Sequence, residues 1–171
     1  MMQKGLFGTR TPTPQEQARL QKERELRKRQ ALFSQLRTEY DQHWATLDRL
    51  AQLAHDLLTL SQTALTPTDL PYPAEYPHLL TLIQSIPTRI TEVQSTLALP
   101  EDLHATKADC KTLISRTHRV SEAIGTIQHL FWTVKSTLKH RTVIADGRLC
   151  VVPNTAEAAQ IIIRYIESDC R

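Results

Sequence analysis

Apolar side chains in the first third of the chain recur at alternating steps of three and four residues, which places them on one face of a helix. Arg29 and His43 fill two places in this stripe, and its other members are Leu26, Phe33, Leu36, Tyr40, Leu47, Leu50, Ala54 and Leu57. Thr13-Pro14-Gln15-Glu16 forms a capping-box start, and neither Gly nor Pro follows before residue 64. The pattern predicts an irregular arm over 1–12 and one long coiled-coil helix over 13–64.

Residues 65–77 break this pattern with a cluster of prolines, namely Pro67, Pro71, Pro73 and Pro77. Proline lacks a backbone donor and disfavours helix in the residue before it. The sequence therefore predicts an extended and fairly stiff linker between two helical regions.

Two further stripes follow within 78–141, a region predicted to form a helical hairpin or coiled coil. The first stripe consists of Leu79, Ile83, Ile86, Ile90, Val93 and Leu97, and Pro87 within it predicts a kink or a short break near Ser85. A third helix is expected to begin at Pro100-Glu101-Asp102, because acidic residues favour a first helical turn. Its stripe consists of Cys110, Leu113, Thr117, Val120, Ile124, Ile127, Phe131, Val134 and Leu138.

The pattern changes again over 142–171. Asp146-Gly147 stands between two runs rich in β-branched residues, which is a strong signal for a β-hairpin. A short helix is predicted to start near residues 154–157. Because an isolated two-stranded hairpin is marginally stable in water, this module needs a surface to lie on.

These elements predict a mainly α protein: long coiled-coil helices in an elongated hairpin or bundle, with a small C-terminal β-hairpin and a short helix. The stripes can close on each other in a self-contained bundle, or one can remain free for a partner. We favour the second alternative, because the short middle segment cannot cover the first and an exposed apolar seam marks an interface. The predicted protein interface consists of Phe33, Leu36, Tyr40, Leu47, Leu50, Leu57, Leu113, Val120, Ile124, Ile127, Phe131 and Val134.

Positive charge is concentrated near the start of the chain. Residues 1–37 contain nine Lys or Arg and three Glu, so their net charge is +6. The rest of the chain has a net charge of −3, which gives +3 in total. The basic patch consists of Arg19, Lys22, Arg24, Arg27, Lys28 and Arg29. It suits an acidic surface such as nucleic acid, an acidic filament or anionic lipid. The alternative, which we favour, is a solvated helix end with Glu23–Arg27 and Glu25–Arg29 pairs.

Candidate chemistry is sparse. The three cysteines are far apart and no CxxC, HxxxH or HExxH motif occurs, so no metal site and no cofactor are expected. Four glycines cannot supply a phosphate-binding loop, and we expect no catalytic residues. An odd number of cysteines and the lack of a secretory or membrane-spanning segment predict an intracellular protein, either cytoplasmic or nuclear.

Two short motifs lie in the predicted arm. Gly5-Leu6-Phe7-Gly8 resembles one repeat of the FG-type nucleoporins, although the match covers four residues and occurs once; in that family, such repeats bind transport receptors. Thr11-Pro12 and Thr13-Pro14 match sites of proline-directed kinases, and a phosphate on Thr13 would sit favourably at a helix N-terminus.

The sequence thus predicts a non-enzymatic coiled-coil scaffold or adaptor subunit of a multiprotein assembly, of the cytoskeletal, chromosome-segregation or nuclear-pore type. Its expected partners are other coiled-coil subunits, in a hetero- or homo-oligomer, without a membrane span. The alternative is a direct binder of nucleic acid or of an acidic filament through residues 19–29.

Overall fold

A computed structural model describes residue 8 and residues 10–170. The chain is mainly helical, with a two-stranded antiparallel sheet near its C-terminal end. The elements are α1 (Pro14–Thr63), α2 (Tyr76–Leu97), α3 (Lys107–Leu138), β1 (His140–Ala145), β2 (Arg148–Pro153) and α4 (Glu157–Asp169).

The long first helix matches the sequence prediction closely. The hydroxyl oxygen of Thr13 accepts from the Glu16 backbone N–H, and the Glu16 carboxylate accepts from the Thr13 N–H at 2.8 Å, so both halves of the capping box form. Pro14 occupies the first turn, where its missing N–H costs nothing. At about 1.5 Å per residue, α1 is about 75 Å long.

The three long helices pack side by side with α2 antiparallel to its neighbours. The Gln94 side chain donates to Asp48 at 2.9 Å, and the Tyr40 hydroxyl donates to the Leu97 carbonyl at 2.8 Å. Therefore α2 runs back along α1. The helix α3 then runs parallel to α1, because residues 28–32 lie beside 107–111 and residues 36–39 lie beside 114–121.

The core forms where the apolar stripes meet. Side chains of all four helices join one cluster, which also includes Leu65 and Leu70 from the linker. Its largest fully buried members are Phe131, Leu47, Leu50, Leu53, Leu57, Leu70, Ile83, Ile86, Ile90, Leu113, Ile127 and Leu138.

Three local expectations are corrected. The linker is not an extended strut but forms two 3₁₀ turns, at Pro67–Asp69 and Pro73–Glu75, because burial of the two linker leucines folds it against the core. Of the kink or short break expected near Ser85, the break does not occur: α2 continues through Pro87, since its packed apolar stripe outweighs the lost backbone hydrogen bond. The third helix begins at Lys107 and not at residue 100, because Thr106 supplies the cap by accepting from the Asp109 N–H.

The predicted hairpin and final helix are present. Asp146 and Gly147 have φ values of +53° and +72°, as a two-residue turn with positive φ at both positions requires. Asn154 anchors this module: its side-chain amide donates to the Asp69 carbonyl, and its side-chain oxygen accepts from the Ala156 N–H at 3.0 Å. The helix α4 is thereby held against α1 and α3.

Candidate functional site

The residues predicted to form a protein interface lie mostly inside the bundle. Phe33 and Leu36 are partly buried, at the edge of the core. The other predicted interface residues are buried against neighbouring helices of the same chain, namely Tyr40, Leu47, Leu50, Leu57, Leu113, Val120, Ile124, Ile127, Phe131 and Val134. The apolar stripes therefore pack against each other within the chain. A surface that binds a partner has to lie outside them.

The N-terminal part of α1 extends beyond its neighbours. Every residue from 14 to 28 is exposed, and Arg29 is the first that is partly buried. We call residues 14–28 the projecting segment. It is about 20 Å long at the usual helical rise. Leu20 and Leu26 are roughly half exposed on it, so it presents apolar as well as charged groups.

The basic patch occupies this segment and the turn after it. Arg19 and Glu23 form an ion pair at 3.3 Å. The predicted pairs of Glu23 with Arg27 and of Glu25 with Arg29 do not form among the residues that the structure describes, at a limit of 4.0 Å. The patch is therefore less neutralised by its own glutamates than the spacing suggests.

A groove runs between the N-terminal parts of α1 and α3. It lies between residues 28–39 of α1 and residues 107–121 of α3, and we call it the open groove. Its first cavity has a volume of about 290 Å³ and an apolar floor formed by Leu32 and Cys110. Four cationic residues surround that floor, namely Lys28, Arg29, Lys107 and Lys111.

A second cavity lies about two helical turns further along the open groove. Its volume is about 220 Å³, and its lining includes Leu36 and Glu39 from α1 and Ile114 and Thr117 from α3. Ile114 is 47% exposed, whereas Thr117 is 5% exposed and its hydroxyl has no hydrogen-bond partner among the described residues. The wall thus combines an uncovered apolar side chain with an unsatisfied polar group.

The helix α4 fills the continuation of the same groove. On α3, residues 114, 118, 121, 125, 128, 132 and 135 succeed each other in steps of four and three and so share one face. Lys135 on this face pairs with Glu167 of α4 at 2.8 Å, and the Cys170 thiol donates to the Gln128 carbonyl. The groove is therefore covered by a helix at one end and uncovered at the other.

The β-hairpin offers a second, smaller apolar surface. Ile144 and Leu149 are paired directly across the two strands and are 77% and 76% exposed. Val151 lies on the same face, since side chains alternate along a strand. The opposite face, which includes Val143, is partly buried.

The cysteines and histidines do not form a centre. Burial raises the pKa of the Cys170 thiol to about 11, with Arg49 opposing the shift, so this thiol is a poor nucleophile. Within residues 8 and 10–170, no group of three or more His, Cys, Asp or Glu is placed to hold a metal ion. None of the helices in this part of the chain is both long enough and apolar enough to cross a bilayer.

Sequence reasoning missed the open groove because Leu32 and Ile114 lie outside the seam. Each is one position away from a seam residue, Phe33 and Leu113. A second apolar column beside the seam widens the apolar face of a helix. This wider face was the sequence signal that could have predicted the groove. Of the two short motifs, Gly5-Leu6-Phe7 lies outside the described residues, whereas Thr11 is exposed and Thr13 caps α1.

Comparisons of the chain with family models, with curated proteins and with solved structures find no match.

Proposed function

We propose that this chain is a non-enzymatic scaffold or adaptor subunit that joins a multiprotein assembly by coiled-coil pairing along the uncovered parts of α1 and α3. One observation carries the proposal. Both helices continue past the end of α4, and there they present the half-exposed side chains of Leu32 and Ile114. Apolar side chains held on rigid helices beside an open groove suit the docking of another helix.

Burial of the apolar stripes in the core limits the surface that a partner can contact. Leu50 is fully buried, so a seam substitution such as Leu50→Glu would unfold the bundle and could not report on binding. The surface available to a partner consists of the projecting segment, the open groove and the apolar face of the hairpin. In this proposal, the exposed apolar face of the hairpin contacts a second partner.

Affinity purification of the full chain from cells that produce it tests this function. We compare the wild type with a Leu26→Glu, Leu32→Glu variant, which changes two half-exposed side chains and leaves the core intact. The proposal predicts that protein partners recovered with the wild type are lost with the variant, because a charge in a helix–helix contact is costly.

The matched control is Thr59→Glu, Gln62→Glu, which places the same two charges on exposed positions of α1 away from the open groove. It should recover the same partners as the wild type. Equal recovery with the leucine variant, or no stable protein partner with any variant, would exclude this function.

The second candidate function is direct binding of nucleic acid or of an acidic filament through residues 19–29. The observation in its favour is that Lys107 and Lys111 of α3 lie beside Lys28 and Arg29 of α1, so the basic patch is wider than one helix. Binding to a polyanion releases counterions and weakens steeply with salt. Affinity that falls with salt, and that replacement of Arg24, Arg27, Lys28 and Arg29 by Gln removes, would support this candidate.

A further inference from the structure

We infer that the open groove binds an amphipathic helix of a partner protein. This helix lies antiparallel to α1 and α3 and has acidic residues in its last turn. The inference rests on the proposed adaptor function and adds the chemistry and the direction of the partner segment. Three features of the groove carry it: the helix that fills its other end, the spacing of its cavities and its charge.

The chain itself shows how a helix fits between α1 and α3. The buried stripe of α4 includes Ala159, Ile162 and Ile166, and Cys170 continues it just after the helix. Glu167 lies beside Lys135 and Cys170 lies beside Gln128, so α4 runs antiparallel to α3. A second helix placed in the same groove beyond Cys170 would also contact α1 on one side and α3 on the other.

The cavities define which side chains the partner helix needs. The first is centred near Leu32 and the second near Leu36 and Ile114, with lining residues displaced by about seven positions on each helix. Seven residues are two helical turns, or about 10 Å. Two aliphatic side chains seven positions apart on one helix therefore reach both cavities, as residues of one heptad column do.

The charge around the first cavity defines the end of the partner helix. Lys28, Arg29, Lys107 and Lys111 all lie at the end of the groove that is farther from α4. A helix aligned like α4 brings its C-terminal turn to this point. Its partial negative charge and any acidic side chains in that turn then face four cations.

A second copy of this chain is a poor occupant. Its projecting segment carries the basic patch, and insertion of that helix would place cations against Lys107 and Lys111. Like charges in a contact are repulsive, so the observations favour a different protein that is acidic where this one is basic.

The test uses the full chain and a labelled peptide derived from α4, because α4 already fits this type of groove. The peptide has the sequence of residues 154–170 with Ala159→Leu, which places a leucine seven positions before Ile166, and with Cys170→Ser to avoid oxidation. Glu167 and Asp169 supply its acidic last turn. The matched control peptide carries Glu167→Lys and Asp169→Lys in addition.

Fluorescence anisotropy then measures the affinity of each peptide. We expect the acidic peptide to bind at least tenfold more tightly than the control peptide. Ile114→Glu or Lys111→Glu in the protein should weaken binding of the acidic peptide at least tenfold. Ile144→Glu on the hairpin should leave binding unchanged, because Ile144 belongs to a different surface. Circular dichroism confirms that each variant keeps its helical content.

Three results would overturn the inference. The acidic peptide fails to bind, it binds equally to wild type and groove variants, or the chain forms a dimer that Ile114→Glu dissociates. The last result would make a second copy the occupant. The adaptor function fails separately, if purification of the full chain recovers no protein partner that depends on Leu26 and Leu32.

Discussion

The buried hydroxyl of Thr117 lowers the stability of the bundle. It occupies a seam position of α3, where its hydroxyl is buried and unpaired. A buried polar group without a partner costs about 1–3 kcal/mol. We predict that Thr117→Val leaves stability unchanged or raises the free energy of unfolding by about 1 kcal/mol, measured by urea denaturation. A loss of more than about 1 kcal/mol would mean that the hydroxyl is satisfied.

Tyr40 gives the bundle a pH dependence at high pH. Burial raises the pKa of its phenol, although nearby backbone and arginine groups oppose the shift. The folded state therefore keeps a proton that the unfolded state releases, and the stabilisation is lost as pH rises above about 10. We predict that denaturation curves at about pH 8 and about pH 10.5 differ more for the wild type than for Tyr40→Phe.

The Tyr40→Phe variant also serves as the hydrogen-bond control. The hydroxyl donates to the Leu97 carbonyl at 2.8 Å, so its removal should cost about 1 kcal/mol near neutral pH. An identical pH dependence in both proteins would contradict the role assigned to this residue.

At the scale of the element, the start of α1 should be separable from the core. The capping box at Thr13 holds the first turn of the projecting segment, all of whose residues are exposed. A lost cap costs a helix about 1 kcal/mol. We predict that Thr13→Ala accelerates amide hydrogen exchange near residues 14–20 and leaves the thermal midpoint of the bundle unchanged. A lower midpoint would show that this end contributes to the cooperative core.

The elements also show what the sequence determines. The bounds of α1 and the hairpin turn could be predicted because Thr13, Glu16 and Asp146-Gly147 act through local geometry. The course of the linker depends on burial of Leu65 and Leu70 against distant helices, which no local pattern records. The open groove depends on how far α4 reaches between α1 and α3, so it emerges only from packing.

At the scale of the whole molecule, apolar stripes have two possible fates, internal closure or pairing between chains. The different lengths of the segments favoured a stripe that stays exposed and pairs with a partner. In the structure, the stripes close within the chain, and α4 covers part of the groove between α1 and α3. The excess length of α1 and α3 is what remains, and the proposed adaptor function depends on it.

Light scattering behind a sizing column, run over a range of protein concentrations, tests internal closure most directly. The account predicts one species with the mass of a monomer, 19.5 kDa, at every concentration, because the seam residues are already paired within the chain. A stable dimer or larger oligomer, lost in a seam variant that keeps its helical content, would contradict the account, since the seams would then pair between copies.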